Sequence, residues 1–290
     1  MTWSYGTVID IERLSPRMTR IWLHLTDPER ITMPDCGDDA VGLYFPADNS
    51  EVPPPMELRD GVWGYHDPGA APPGRNYTVR RYDAENATAV IDFVVHGNGV
   101  ATTWLRNAVR GNMIAVSHAR SWYRPGTAPW QVLAADLTGL PALARIIEDL
   151  PDAVSATAVA EVSGKEDLDY LPVRENVSVV SCIGGNGEAP SGLADLIAAQ
   201  PFPQGDGYLW FAGEAAQSRS VRKWLRAEHG WTSQRFDIVG YWRQGSEEWD
   251  RRFAEVGPQM LAIYREALAA GKSQKVALEE YDEALERVGL

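Results

Sequence analysis

The amino-acid sequence predicts an antiparallel β-barrel, an α/β domain with a parallel sheet and a helical tail, in that order. Three observations support this fold class. Short segments that alternate apolar and polar residues fill the first third of the chain, apolar strands alternate with helices in the middle, and the last segment has apolar residues at helical spacing. We expect the three units to span residues 1–127, 128–245 and 246–290.

The barrel is predicted from its strands and from one helix. The segments with strand-like alternation are 7–11, 19–25, 41–45 and 88–95. A helix is expected over residues 101–109, with Thr102 or Thr103 as its N-cap, and short strands with one helix are typical of a small closed barrel. Residues 46–74 contain seven of the 19 prolines and are predicted to form a long irregular excursion.

The α/β domain is predicted from apolar strands that alternate with helices. The expected strands are 131–135, 154–162, 177–182, 208–212 and 236–242, and the expected helices are 140–150, 192–200 and 218–229. This alternation favours a parallel sheet that is covered on both faces. Residues 247–290 are predicted to be helical, with breaks near Gly257–Pro258 and at Gly271, and to pack against the body or a subunit partner.

Composition and charge exclude several classes of function. The formal charge of −13 repels nucleic acid and anionic lipid surfaces, and no apolar run is long enough to cross a bilayer. The N-terminus has no signal-peptide pattern, so we expect a cytoplasmic protein that is not inserted in a membrane. Cys36 and Cys182 are far apart, and the five histidines lack metal-ligand spacing. The sequence therefore predicts no iron–sulfur cluster and no protein-bound metal.

Residues 75–80, Arg-Asn-Tyr-Thr-Val-Arg, form the sharpest local motif. Side chains alternate across a strand, so Tyr77 and Val79 are expected to lie opposite Thr78 and Arg80. An aromatic ring can stack on a flavin, and a guanidinium can pair with a phosphate. The alternative interpretation is an ordinary edge strand with exposed arginines.

This motif resembles the R-x-Y-T-x-R flavin-binding motif of the siderophore-interacting proteins, bacterial ferric-siderophore reductases related to the ferredoxin-reductase superfamily. In that family it precedes a D-F-V-x-H-G-x-G segment, and residues 92–99 of this chain read Asp-Phe-Val-Val-His-Gly-Asn-Gly. The resemblance implies a six-stranded antiparallel barrel that binds FAD. It implies FAD contacts from Arg75, Tyr77, Thr78, Val79, Arg80, Asp92, Val94, His96, Gly97, Ala101, Thr102, Thr103 and Trp242. Glycines permit close approach of the backbone, and a helix N-terminus offers N–H groups to a diphosphate. The alternative for His96 is a structural histidine at the end of a strand, with its hydrogen bonds made within the protein.

The second half of the chain is similar to the same family. Residues 135–142 resemble its glycine-Asp-x-Thr-x-Leu-Pro-Ala segment with alanine in the first position, residues 212–215 resemble its A-G-E-A, and residues 240–243 resemble its G-Y-W-R. The resemblance implies that the NAD(P)H donor contacts Asp136, Thr138, Gly213, Glu214 and Ala215. Asp136 and Thr138 can also serve simply as helix N-caps. Residues 117–121 depart from the family's glycine-proline-arginine-glycine and retain only Arg120.

These residues predict a reaction in which a flavin divides an electron pair. A nicotinamide delivers two electrons as hydride and ferric iron accepts one, and the chain has no other redox centre to divide the pair. Oxygen-rich chelators bind ferrous iron far more weakly, so reduction of a ferric siderophore releases Fe(II) for cellular iron acquisition. The predicted cations for this anionic small-molecule substrate are Arg243, Arg120, Lys272 and Lys275, each of which has a solvated surface charge as its alternative.

Two other functions and one choice of cofactor stay open. The chain is alternatively a siderophore-binding or iron-handling protein without NAD(P)H turnover, or a flavin reductase that serves another acceptor. NADPH requires a cation for its 2′-phosphate, and the candidates are Lys165, Arg219, Arg222 and Lys223. We expect a monomer or a weak homodimer.

Overall fold

The N-terminal part of the molecule is a closed barrel. The computed structural model describes residues 3–49, 51–59, 62–65, 67, 72–95 and 99–290. The first eight strands are β1 (Trp3–Ser15), β2 (Met18–Leu25), β3 (Ala40–Tyr44), β4 (Met56–Arg59), β5 (Val62–Tyr65), β6 (Gly74–Asp83), β7 (Thr88–Val94) and β8 (Met113–Arg120). Six of them close in the order β1-β2-β7-β6-β3-β8, and every neighbouring pair is antiparallel. The predicted six-stranded antiparallel barrel is confirmed.

Helix α1 (Val100–Arg106) packs against the barrel core with Ala101, Trp104 and Leu105. The prediction that Thr102 or Thr103 caps this helix is wrong. The N-cap is Gly99, and the backbone N–H of Thr103 already donates to the Gly99 carbonyl at 2.8 Å, so both threonines lie inside the first turn. Strands β4 and β5 pair as an antiparallel hairpin within the predicted irregular excursion, with Met56 and Tyr65 packed on Trp3.

The middle of the chain forms an α/β domain. Its strands are β9 (Trp130–Ala135), β10 (Ser155–Val162), β11 (Val177–Ile183), β12 (Gly207–Glu214) and β13 (Phe236–Trp242), and its helices are α2 (Leu140–Asp149), α3 (Leu193–Ala198) and α4 (Ala215–His229). All strands are parallel, in the order β11-β10-β9-β12-β13. Two apolar clusters, around Leu143 on one side and Leu225 on the other, cover the central strands, as the apolar runs predict. Short 3₁₀ helices span Pro28–Arg30, Leu137–Gly139, Lys165–Tyr170 and Ser233–Arg235.

The tail consists of two helices, α5 (Ser246–Ala269) and α6 (Gln274–Arg287). The break at Gly271 is confirmed, but the predicted break at Gly257–Pro258 is wrong because α5 continues through it. A proline inside a helix removes one backbone hydrogen bond, and here the packing of α5 on α6 through Met260, Leu285 and neighbouring aromatic rings maintains the helix. Within the described residues, no helix is both long and apolar enough to cross a membrane.

Buried polar contacts join the barrel to the sheet domain. The Asp38 carboxylate, between β2 and β3, accepts hydrogen bonds from the backbone N–H groups of Trp122 and Tyr123 at 3.0 and 2.8 Å and from Trp210 Nε1 at 3.0 Å. Burial raises the pKa of Asp38, and these three donors oppose that rise. One carboxylate thus ties the barrel, the connecting segment and β12 together.

Candidate functional site

Strand β6 places the residues of the sharpest motif at the junction of the two domains. Tyr77 packs into the barrel core, with its ring centroid 4.3 Å from that of Phe93, and Val79 is fully buried. Arg75 is exposed and donates to the Gly74 carbonyl at 2.8 Å. Thr78 is buried beside Tyr241 of β13, and neither hydroxyl has a hydrogen bond of good geometry among the described residues. A buried hydroxyl without a proper partner is uncommon and marks a place where a ligand can supply one.

Two residues that the resemblance assigns to the flavin have other partners. Arg80 donates to Glu148 Oε2 at 2.7 Å and to the Tyr170 hydroxyl at 3.2 Å. Asp92 receives both arms of Arg20 at 2.7 Å, and the Tyr170 hydroxyl also donates to it. The network of Arg20, Asp92, Tyr170, Arg80 and Glu148 crosses from the barrel to the sheet domain. Arg80 and Asp92 thus have charge partners at the domain junction, and their contact with FAD stays a prediction.

Three further residues of the predicted flavin site belong to α1. Ala101 and Thr102 are buried in α1, whereas Thr103 is exposed. Among the described residues, no side chain caps the start of α1, and a Cβ on Gly99 would meet no atom within 4 Å. His96 and Gly97 lie outside the described residues.

Val94 shows where the barrel meets the sheet. With Val95 it lines a small cavity of about 80 Å³, together with Thr138, Gly187 and Trp242 from the sheet domain. The end of β7 therefore faces the carboxyl edge of the parallel sheet. Ligands of open α/β sheets bind at that edge.

At the carboxyl end of β9, Asp136 is hydrogen-bonded to both Thr138 and Trp242. Its Oδ1 accepts hydrogen bonds from the Thr138 backbone N–H at 2.9 Å and from the Thr138 hydroxyl at 2.6 Å, so Asp136 caps the short helix 137–139. Its Oδ2 accepts from Trp242 Nε1 at 2.5 Å. Burial raises the pKa of Asp136 from 3.8 to about 6, against the opposing effect of these donors. A predicted nucleotide residue and a predicted flavin residue are thus in direct contact.

The A-G-E-A motif lies where β12 passes into α4. A Cβ on Gly213 would lie 2.9 Å from Asp136 Oδ2, so only glycine permits this approach. Glu214 is the N-cap of α4, and its Oε2 accepts from the backbone N–H groups of Ala216 and Gln217 at 2.5 and 3.1 Å. The buried Ala215 follows it. Glu214 therefore accepts hydrogen bonds from two of the N–H groups at the start of α4, and these two are not available to a ligand.

The sequence reasoning missed a glycine-rich loop at the same edge. Residues 184–187 read Gly-Gly-Asn-Gly and follow β11 directly. Gly185, Asn186 and Gly187 have φ values of 59°, 56° and 79°, which lie in the left-handed region. Asn186 Oδ1 accepts from the Leu137 N–H at 3.0 Å and so connects the loop to the start of the short helix 137–139. The signal was present, because clustered glycines after a strand of a βα unit indicate close backbone approach to a ligand.

A cavity of about 440 Å³ opens beside this loop. It is bounded by the loop, the start of α4, Trp242 and the tail. Its cationic lining residues are Arg219, Arg243 and Arg252. The Arg243 guanidinium lies 4.5 Å from the centroid of the Trp249 ring. Arg243, predicted to bind the substrate, therefore lies in the cavity at the carboxyl edge of the sheet.

A second cavity, of about 670 Å³, lies between the segment after β8, strand β13 and helix α6. Arg120 and Lys275 both line it, as do Arg124, Arg222 and the rings of Trp122 and Tyr264. Burial lowers the pKa of Arg120, which donates to Asn76 of β6. Lys275 Nζ lies 2.8 Å from Asp237 Oδ1.

Lys272 does not share this position. Its Nζ pairs with Glu280 at 2.6 Å, and it lines neither of the two large cavities. The structure thus brings two of the four predicted substrate cations together and places Arg243 in the other large cavity. Lys272 is paired with Glu280 of α6, and its contact with the substrate stays a prediction.

A barrel that faces the carboxyl edge of a five-stranded parallel sheet is the architecture of the ferredoxin-reductase-like proteins. The ferredoxin reductase of carbazole 1,9a-dioxygenase has this fold, with a TM-score of 0.59 and 13% identity over 83% of this chain and 70% of that chain. The chain belongs to the siderophore-interacting proteins: residues 128–245 match the siderophore-interacting protein family, and residues 7–121 match its siderophore-interacting FAD-binding domain.

Individual relatives agree with this assignment. The NADPH-dependent ferric-chelate reductase of Escherichia coli is 30% identical over 81% of this chain and 91% of its own length. The ferric vibriobactin reductase ViuB of Vibrio cholerae is 28% identical over 82% and 93%. A siderophore utilization protein from T. fusca superposes with a TM-score of 0.72 at 32% identity, over 84% of this chain and 93% of that chain.

The described residues fit the FAD of this family. Among the described residues, the buried Thr78 hydroxyl has no well-formed hydrogen bond and no side chain caps the start of α1. Arg75 is exposed on the same strand as Thr78. FAD is the cofactor of the barrel domain.

Proposed function

We propose that this protein is an FAD-dependent ferric-siderophore reductase that takes electrons from NADPH or NADH. The observation that supports this most is the junction at which Val94 of the FAD-binding barrel meets Gly187 and Trp242 at the carboxyl edge of the sheet. A cofactor on the barrel and a nucleotide on the sheet come together at such a junction. When bound, FAD accepts an electron pair as hydride and passes electrons singly to Fe(III).

In this proposal the barrel holds the flavin mainly through β6 and the segment that leads into α1. Arg75, Tyr77 and Thr78 bind it from β6, and His96, Gly97 and the start of α1 bind its diphosphate. Thr78 offers a hydroxyl at the domain junction, and Tyr77 supports the strand by packing into the core.

The donor nucleotide binds in the 440 Å³ cavity, where the glycine-rich loop allows close backbone approach. Arg219, Arg243 and Arg252 supply positive charge for its phosphates. Asp136 supports this site indirectly, because it accepts hydrogen bonds from Trp242 and from Thr138 at the start of the short helix. Because Glu214 caps α4, we assign it a structural part in the site rather than a phosphate contact.

The ferric siderophore binds in the 670 Å³ cavity. A chain with a charge of −13 repels an anionic chelate unless cations are concentrated where it binds. Arg120 and Arg124 provide that concentration, whereas Lys275 and Arg222 are already paired with Asp237 and Asp282 of the same cavity. The Trp122 and Tyr264 rings suit flat aromatic or acyl groups of the chelator. The iron is held by its chelator as substrate, so no protein ligand to iron is required. We place the reaction in the cytoplasm, where the reduced nicotinamide is available.

The proposal is tested with the purified full-length protein. We expect an oxidised flavin spectrum, bleaching of that spectrum by NADPH or NADH without oxygen, and its return when a ferric siderophore is added with a ferrous trap. A yellow protein that neither nucleotide bleaches would instead identify an iron-handling protein without turnover. Bleaching without iron reduction would identify a flavin reductase for another acceptor.

A further inference from the structure

Helix α6 carries carboxylates that face arginines of α4. The pairs are Arg219–Glu286 at 3.6 Å, Arg222–Asp282 at 3.1 Å, Arg226–Glu279 at 2.8 Å and Arg226–Glu283 at 2.6 Å. We call these residues the α4–α6 ion-pair cluster. The arginines are spaced by three and four residues, so they share one face of α4, and the carboxylates do the same on α6.

The two helices meet through complementary charge. The apolar residues of α6, Ala284 and Leu285, pack instead on α5 and its aromatic rings. Isolated surface ion pairs contribute little to stability, whereas several pairs in a network hold an element in place. Such a network weakens as salt screens it.

The tail that this cluster holds forms part of both large cavities. Trp249, Arg252 and Leu290 line the 440 Å³ cavity. Tyr264 and Lys275 line the 670 Å³ cavity. Leu290 is buried, so the end of the chain is packed rather than loose.

We propose that the tail is a shared wall of the donor and acceptor sites, and that the α4–α6 ion-pair cluster positions it. The identity of the two ligands rests on the proposed function. Release of α6 removes Lys275 from one cavity and loosens Arg252 and Leu290 in the other, so both ligands bind more weakly in the same variant. Arg226, Glu283 and Glu286 are positioning residues, because they line neither large cavity.

The test removes pairs without changing a residue that lines either large cavity. Arg226→Gln with Glu283→Gln breaks two of the four pairs, keeps the Arg219–Glu286 pair and leaves the net charge unchanged. The matched control, Asp10→Asn with Arg110→Gln, removes an exposed ion pair of the barrel, also without a change in net charge. Limited trypsin cleavage after Lys272, in the joint between α5 and α6, reports release of the tail in the full-length protein.

Ligand binding is measured separately from turnover. We use quenching of tryptophan fluorescence by NADPH and by ferric citrate, and steady-state KM and kcat for both. We expect the double variant to be cleaved about tenfold faster, and its Kd for both ligands to rise about tenfold, the scale of a lost charge-assisted contact. The control should match the wild type, and kcat should stay within about twofold because the variant leaves the flavin site unchanged.

A charge swap tests the pairing itself. Arg226→Glu alone should release the tail, and Arg226→Glu with Glu283→Arg should slow cleavage again and recover part of the lost affinity, because it restores one of the two Arg226 pairs. Faster cleavage with both Kd values unchanged would show that the tail only packs against the body, and would overturn the proposal. A wild-type protein that binds both probes but does not oxidise NADPH would refute the proposed reductase activity and leave the Kd comparison to decide the role of the tail.

Discussion

At the scale of single residues, the β6 motif contains a side chain that stabilises the core and side chains that we propose to bind the cofactor. Tyr77 packs against Phe93 in the barrel core, so Tyr77→Ala opens a cavity that costs about 3–5 kcal/mol in stability. Loss of yellow colour in that variant would not distinguish unfolding from loss of a contact. Arg75 and Thr78 are better probes, because one is exposed and the other has no well-formed hydrogen bond to lose.

We therefore expect Arg75→Ala with Thr78→Val to weaken FAD retention while the barrel stays folded. The variant loses one cation and one hydroxyl toward the cofactor, so the FAD dissociation constant should rise at least about tenfold. The check is the flavin-to-protein absorbance ratio after dialysis, alongside thermal unfolding. Arg81→Ala, which removes another exposed arginine of β6, is the control, and equal FAD retention in both proteins would place the cofactor elsewhere.

Asp136 gives a prediction about pH. Its pKa is about 6 in the folded protein and 3.8 without burial, so the folded state binds a proton more tightly than the unfolded state. Ionisation of this carboxyl therefore lowers the unfolding free energy as the pH rises from about 4 to about 6, by about 3 kcal/mol over the whole range. The unfolding free energy of the wild type minus that of Asp136→Asn should fall between pH 4 and pH 6.5 in urea titrations. A difference that is flat or rising over this range would contradict the burial of an ionisable carboxyl there.

Arg120 and Arg243 lie in different cavities and should therefore affect different ligands. We expect Arg120→Gln to raise the KM for an anionic ferric chelate about tenfold and to leave flavin reduction by the donor nearly unchanged. Arg243→Gln should do the reverse, since it lines the cavity beside the glycine-rich loop. Each variant is the control for the other, and the same effect in both would mean that the two cavities do not divide the ligands.

At the scale of elements, local patterns predicted type and order better than they predicted ends. Alternation of apolar and polar residues predicted the barrel strands, and apolar runs predicted the parallel strands. The structure contains both sets of strands. The Gly257–Pro258 break did not occur, because packing in the tail outweighs one missing backbone hydrogen bond.

This predicts that Pro258 destabilises α5. Pro258→Ala restores an N–H to the helix interior and should slow amide hydrogen exchange in α5, with a gain of about 1–3 kcal/mol in local stability. Faster exchange in the variant would mean that the proline ring itself supports the tail.

At the scale of the whole molecule, a polar network holds the two domains together. Tyr170 receives a hydrogen bond from Arg80 and donates one to Asp92, so it links the sheet domain to two strands of the barrel. Asp38 makes a second such link through Trp210 and the connecting segment. The small cavity at the junction is lined by residues of both domains, so its shape depends on both at once.

Tyr170→Phe should therefore lower the unfolding free energy by about 1–3 kcal/mol, because it leaves buried partners without a hydrogen bond. Urea unfolding monitored by tryptophan fluorescence measures the loss. Tyr82→Phe, on the half-buried edge of β6, is the control for removal of a tyrosine hydroxyl. An equal effect of both substitutions would show that the junction contributes nothing specific.

Patterns of residues along the chain predicted the fold class, the order of elements and the motif segments, and the resemblance of those motifs to a family implied the cofactor. These are recorded locally: alternation, helical spacing and short motifs are properties of neighbouring residues. The sequence also contained the glycine-rich loop after β11, which was not recognised because its role depends on what lies opposite. The sequence only partly predicted which residues lie together in one cavity: Arg120 and Lys275 share one, and Arg243 lies in another.

Packing between distant segments determines which charged groups are available to a ligand. Arg80 pairs with Glu148, Arg226 with Glu283 and Lys275 with Asp237, and each partner is far away in the chain. The strength of such a pair depends on distance and burial, and neither quantity is written in the spacing of residues along the chain. Arginine and lysine residues that look alike in the sequence thus become domain anchors, tail anchors or cavity walls according to the carboxylates that packing brings beside them.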